Sequence, residues 1–147
     1  MIHEIAISTV LILMTVLLAG LAFWAAESLV TLVSPWLVRR PHPPKIALVL
    51  VGIVLVVLAV LSASVWIWAA AFKMLELFPT WEAAVYFSIV VFTTLGFGDV
   101  LLPEGWRILG GLAAANGLLN MGLYTAMMVE ILRRVRQEQI AGRSDDG

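Results

Sequence analysis

Thr93-Thr94-Leu95-Gly96-Phe97-Gly98-Asp99 is the stretch on which the reading of this chain turns. Two hydroxyl residues lead into two glycines that flank one aromatic residue, and a carboxylate closes the run. It is too short and too glycine-rich to be a helix, since each interior glycine costs a helix about 1 kcal/mol. Yet the segments on both sides are almost wholly apolar. Backbone that leaves the helix at membrane depth is tolerated only where it is buried in protein or lines a water-filled path. The run is read as the second case, the lining of an ion path.

Composition supports a membrane setting for the loop. The 147 residues are 62% hydrophobic and only 13% charged, where a soluble domain carries about a quarter charged residues. The chain is therefore read as an all-α integral membrane protein. Without cysteine, disulfides and thiolate metal sites are excluded, and His3 and His42 stand too far apart to suggest a histidine metal site. No nucleophile–base pair suggests an enzyme. The start, Met1-Ile2-His3-Glu4, lacks the basic region of a cleaved signal, and the apolar run behind it is too long for one.

Working outward from the loop, Pro79-Thr80-Trp81-Glu82 reads as a helix start. Thr80 can cap, and Glu82 puts negative charge in the first turn, where the helix dipole favours it. The helix predicted over about 81–93 would be about 20 Å long, too short to cross a bilayer and suited to a re-entrant segment. Upstream, about 46–75 forms a span, and 1–38 forms another that ends near Ser34-Pro35-Trp36. The connector 39–45, Arg39-Arg40-Pro41-His42-Pro43-Pro44-Lys45, is basic, and its three prolines predict that it is not helical. Downstream, about 106–135 forms a third span, and 137–147 reads as a polar tail with little to order it.

Seven of the nine Lys and Arg residues fall in the connector and near the C-terminus, leaving only Lys73 and Arg107 for the other side. The positive-inside rule then puts the N-terminus outside and the C-terminus in the cytoplasm of a multi-pass protein of the cell membrane. The loop falls on the outer side with Glu76, Glu82, Asp99 and Glu104, a mouth that would concentrate cations. The short helix would also aim its partially negative C-terminal end inward.

A short helix, Thr-Thr-Leu-Gly-Phe-Gly-Asp and a final span resemble the pore module of the potassium channel family, over about 46–136. The family is a standard illustration of selectivity by backbone carbonyls. The resemblance implies a filter at 94–99, with K⁺ held by carbonyls of Thr94, Leu95, Gly96 and Phe97 and with Gly98 completing the strand. It also implies a homotetramer around one axis, no cofactor beyond the permeant K⁺, and no nucleic-acid partner. Thr93, Asp99, Tyr86 and Val90 stand at filter-supporting positions. Leu95 replaces the usual Val or Ile, Phe97 the commoner Tyr, and Tyr86-Phe87 a frequent Trp pair. Val90 takes the place of a carboxylate that some relatives pair with the filter Asp. Glycines suit such a strand independently of family, because carbonyls stacked towards one axis need left-handed backbone.

Aligned on Trp106-Arg107, the last span turns Leu118, Met121, Thr125 and Val129 to the pore, and Gly117 and Gly122 fall at hinge or small-residue positions. Gly110 and Gly111 read as close-packing sites. Asn116 and Asn120 lie on the opposite face, where amides against lipid would be costly. Counting back from the basic ends, Glu27 and Asn120 share a depth of about 20 Å. The expectation is that the first helix packs outside the pore module with Glu27 on Asn120 or Asn116; Glu27 protonated or in a wet crevice is the alternative. Arg133, Arg134 and Arg136 suit anionic lipid, and Glu130 is spaced to pair with Arg133 and Arg134. Two other functions stay open: a weakly selective cation channel, and a non-conducting subunit of another assembly.

Overall fold

The computed structural model describes residues 2–37 and 43–144. Four helices, α1 (Ile2–Leu37), α2 (Pro43–Met74), α3 (Trp81–Phe92) and α4 (Arg107–Ser144), make up the molecule, with a 3₁₀ turn at Glu104–Trp106 leading into α4. Three of them contain apolar stretches long enough to cross a membrane, Ile2–Val33, Ala47–Met74 and one over Glu104–Gln137. The fold is all-α with three spans and one short helix among them. Residues 38–42, which hold most of the basic connector, and 145–147 lie outside the described residues.

Two expected boundaries are corrected. Pro43 and Pro44 open α2 rather than exclude it, because a proline at a helix start loses only an N–H that has no partner there. The tail continues α4 to Ser144; Gln137-Glu138-Gln139-Ile140-Ala141 contains good helix formers, enough to extend a helix already nucleated in the span.

Contacts fix how the helices run. Ile53 packs with Met127, Ile131 and Val135, Val60 with Tyr124, and Trp68 and Phe72 with Leu109 and Ala113. As α2 ascends α4 descends, so the two are antiparallel. Thr15 bonds Asn116 while Glu27 pairs with Arg134, so α1 runs parallel to α4. Between α2 and α4 the Ser64 and Tyr124 hydroxyls meet at 3.3 Å, so each buried O–H has a partner.

The first helix does pack against α2 and α4, as expected, but the partner expected for Glu27 is wrong. Glu27 forms an ion pair with Arg134, and Asn116 and Asn120 turn to Thr15. Counting from the basic ends failed because α1, about 54 Å long at 1.5 Å per residue, exceeds a bilayer. Its register is set at the Thr15 level, and ten residues of α1 continue beyond Glu27.

An aromatic cluster seats α3. Phe87 lies 5.2 Å from Phe72 and 5.1 Å from Phe78, and Phe72 lies 5.8 Å from Trp68, centroid to centroid. Edge-on and tilted pairs at these distances add to the burial of large apolar rings. The turn that delivers the chain from α2 to α3 is closed by Leu77 N–H to Phe72 O and Glu76 N–H to Lys73 O. This is a Schellman pattern with Glu76 in the left-handed position at φ 56°. Glycine is the usual residue there, so Glu76→Gly is expected to stabilise the protomer by up to about 1 kcal/mol. A small rise in melting temperature checks it.

Candidate pore loop

The loop begins where α3 ends. Thr80 caps the start of α3 by accepting the Ala83 N–H at 3.2 Å, and Glu82 lies in the first turn. Phe92, the last residue of α3, is fully buried, whereas Thr93 through Asp99 are all exposed in the single chain. Leu95 and Phe97, both strongly apolar, are more than half exposed.

The backbone of the loop is unusual in a regular way. Positive φ values fall at every second residue: Thr94 at 60°, Gly96 at 59° and Gly98 at 76°. Glycine reaches these angles freely, but a β-branched threonine does so only under strain. Thr94 in this conformation is a feature the sequence reading missed, having reserved left-handed backbone for the glycines. The spacing 94, 96, 98 was the signal available.

Hydrogen bonds show which way the peptides face. Leu95 N–H and Gly96 N–H both donate to Val90 O, at 2.9 and 3.2 Å, and Thr94 N–H donates to Val91 O at 2.9 Å. A trans peptide points its C=O opposite to its N–H. The carbonyls of Thr93, Thr94 and Leu95 are therefore directed away from α3, towards the exposed side of the loop. Val90 thus meets the loop through its backbone carbonyl, while its side chain is buried.

The far end of the loop is tied by Tyr86, whose hydroxyl donates to Asp99 Oδ2 at 2.6 Å. That hydrogen bond, with burial and the carboxylate charge behind it, raises the Tyr86 pKa. The same hydrogen bond that ties the loop therefore favours the protonated phenol, the form that can donate. Tyr86→Phe removes one charge-assisted bond. It is expected to loosen that end of the loop and lower any preference among cations severalfold; reversal potentials in bi-ionic K⁺/Na⁺ conditions check this.

Behind the loop lies a crevice of about 330 Å³ lined by Val90, Val91, Gly96, Gly98 and Gly110, with Arg107 as its charged member. Arg107 pairs with Glu104 at 3.6 Å. On α4, Leu118, Gly122, Thr125 and Val129 are exposed and Met121 is partly so. The Thr125 hydroxyl donates to Met121 O at 2.9 Å, which satisfies it within the helix. This face is left uncovered by the protomer itself.

The glycines of α4 divide differently from expectation. A Cβ at Gly117 would lie 1.8 Å from Phe92 O, so here α4 meets the end of α3 backbone to backbone. Gly117 is thus a close-approach position, whatever bending it also permits. Gly110 behaves as expected, with Leu102 at 3.1 Å from a built Cβ, but Gly111 has nothing within 4 Å. Gly122 also faces open space.

At the other end of α4, Arg133 grips Glu130 with two bonds of 2.9 and 2.8 Å, and Arg134 bonds both Glu130 and Glu27. Two of the three arginines expected to face lipid are so engaged. Arg136, with Arg133, borders a largely apolar groove that includes Leu50, Val129, Leu132 and Ile140.

A family model described as "Ion channel" matches residues 60–134. Comparison with curated proteins and with solved structures finds no match in either. The matched range begins in α2, takes in α3, the loop and the 3₁₀ turn, and ends at Arg134, so α1 lies outside it. It covers just over half of the chain, including all of α3, the loop and most of α4. With three spans and a short helix delivering that loop, the chain is a multi-pass membrane protein that belongs to the ion channel family.

Proposed function

We propose that four copies of the chain surround one axis and conduct K⁺ passively, with carbonyls of Thr94, Leu95, Gly96 and Phe97 replacing the water around the ion. The observation that carries this reading is the alternation of φ at 94, 96 and 98, together with amides turned back to Val90 and Val91. Alternating backbone turns successive carbonyls to one side, and one strand supplies only one ligand per layer. A cage for a bare cation therefore needs several strands facing one another. Homotetramerisation also covers the apolar Leu95 and Phe97 side chains and leaves Leu118, Met121 and Thr125 along the path below. Thr93, Val90, Tyr86 and Asp99 hold the filter from behind, and Gly122, free of contacts within the protomer, is the better hinge of the two α4 glycines.

In this reading the loop faces outward, the C-terminus is cytoplasmic, and Arg136 bordering its groove is the strongest of the basic positions for an anionic headgroup. The test is cation flux in liposomes containing the purified protein. K⁺ flux well above Na⁺ flux is expected; equal fluxes favour a non-selective pore, and no flux from an intact homotetramer favours a non-conducting subunit.

A further inference from the structure

We propose that Thr15 of α1 is a positioning residue for the filter, acting through Asn116 and Gly117 on the end of α3. The proposal rests on reading 94–98 as the ion-binding filter. Its basis is a chain of buried contacts in which Asn120 Oδ1 alone is left without a partner among the described residues. The Thr15 hydroxyl can donate to Ile12 O, 3.0 Å away, and it accepts from Asn116 Nδ2 at 2.8 Å. Asn116 Oδ1 in turn accepts from Asn120 Nδ2 at 2.8 Å, and the same Nδ2 lies 3.0 Å from Asn116 O. Thr15, Asn116 and Asn120 are all at most 1% exposed, so no water competes for these bonds.

Asn116 is followed directly by Gly117, the residue pressed against Phe92 O. Phe92 is followed by Thr93 and Thr94, where the backbone turns left-handed. The rotation of α4 about its axis at this level sets how Phe92, and therefore Val90 and Val91 just before it, is placed. Those carbonyls hold the amides of Thr94, Leu95 and Gly96. Thr15 fixes that rotation by giving Asn116 its partner on the side of α4 away from the proposed pore. Apolar packing on α1 reinforces the site, since Leu11 belongs to the same buried cluster as Phe92 and Ala113.

Removing the hydroxyl without changing shape leaves the Asn116 amide buried and partly unpaired, a state proteins avoid. The cheapest relief is a turn of α4, and Gly117 allows no turn that leaves Phe92 where it is. A purely structural Thr15 would loosen only the α1–α4 seam. A positioning Thr15 must also loosen the filter.

The experiment is amide hydrogen exchange on the full-length protein in lipid nanodiscs, in K⁺ and in Na⁺, followed by K⁺/Na⁺ reversal potentials. Thr15→Val is expected to speed exchange of the Leu95 and Gly96 amides about 10-fold and to lower the K⁺ preference in proportion. Thr15→Ser should restore both to wild type. Thr9→Val, which deletes a hydroxyl that donates to Ile5 O on the exposed face of α1, should change neither. Should Thr15→Val not assemble, Thr15→Ala, which leaves room for a bridging water, is expected to give a smaller increase of about 3-fold at the same amides. Wild-type exchange at 93–98 in the assembled Thr15 variant overturns the proposal, even if exchange rises along α1. Failure of the filter reading looks different: the wild-type amides at 95–98 would be protected equally in K⁺ and Na⁺. The Thr15 effect at those amides is measured independently of that outcome.

Discussion

Gly96→Ala is expected to reduce ion flux to background while leaving the protomer folded. Gly96 sits at φ 59° with nothing within 4 Å of a built Cβ, so the cost is torsional and not steric. Holding an L-residue there costs about 1–2 kcal/mol per strand, and in the proposed tetramer four strands multiply it. The backbone escapes by returning to negative φ, which swings a carbonyl off the path and breaks the alternation. Gly105→Ala is the control, because Gly105 also faces open space but has no positive φ. Liposome flux should fall to background for the first variant and be preserved for the second. Unchanged K⁺ flux with Ala at 96 contradicts the filter.

Gly117→Ala is expected to be the most damaging single methyl in the chain. A Cβ 1.8 Å from the Phe92 oxygen, and 2.6 Å from its carbonyl carbon, cannot be relieved by a rotamer change, because the obstruction is backbone. Overpacking a core ordinarily costs about 1–3 kcal/mol, and a backbone clash lies at or above the top of that range. Either α4 moves out or the end of α3 unwinds, and both displace Val90 and Val91 from the loop amides. Loss of assembled protein on size exclusion, or a melting temperature lowered by many degrees, checks this. Gly122→Ala should leave protomer folding intact, so a flux change in that variant would speak for bending and not for packing.

Much of the fold was legible in the sequence, for reasons that particular residues make plain. The three spans follow from hydropathy alone. Thr80, Glu82 and the short apolar run after them marked α3, and Gly96-Phe97-Gly98 marked the loop. Asn116 and Asn120 announced that something must cover α4. What covers them was not legible, because α1 carries several hydroxyls and two carboxylates, Glu4 and Glu27, and only the register of two long helices selects Thr15 over Glu27. Gly117 posed a similar difficulty: a glycine inside a helix reads the same whether it bends the helix or admits a neighbour. Thr94 was missed because β-branching argues against the conformation it adopts. The starting prolines of α2 misled because a proline stops a helix from its interior but not from its first turn.

The amides that α1 covers also bear on how the protein reaches its membrane. α4 is the least apolar of the three spans, and two carboxamides lie on the face that Thr15 meets. Such a segment leaves the insertion machinery at a disadvantage if it meets only lipid, whereas a helix already in the bilayer with a hydroxyl at matching depth offers it a partner. Because α1 lies parallel to α4, Thr15 meets both amides at the same depth. The helix outside the matched channel region thus covers, within the same chain, the carboxamides that the last span would otherwise turn to lipid.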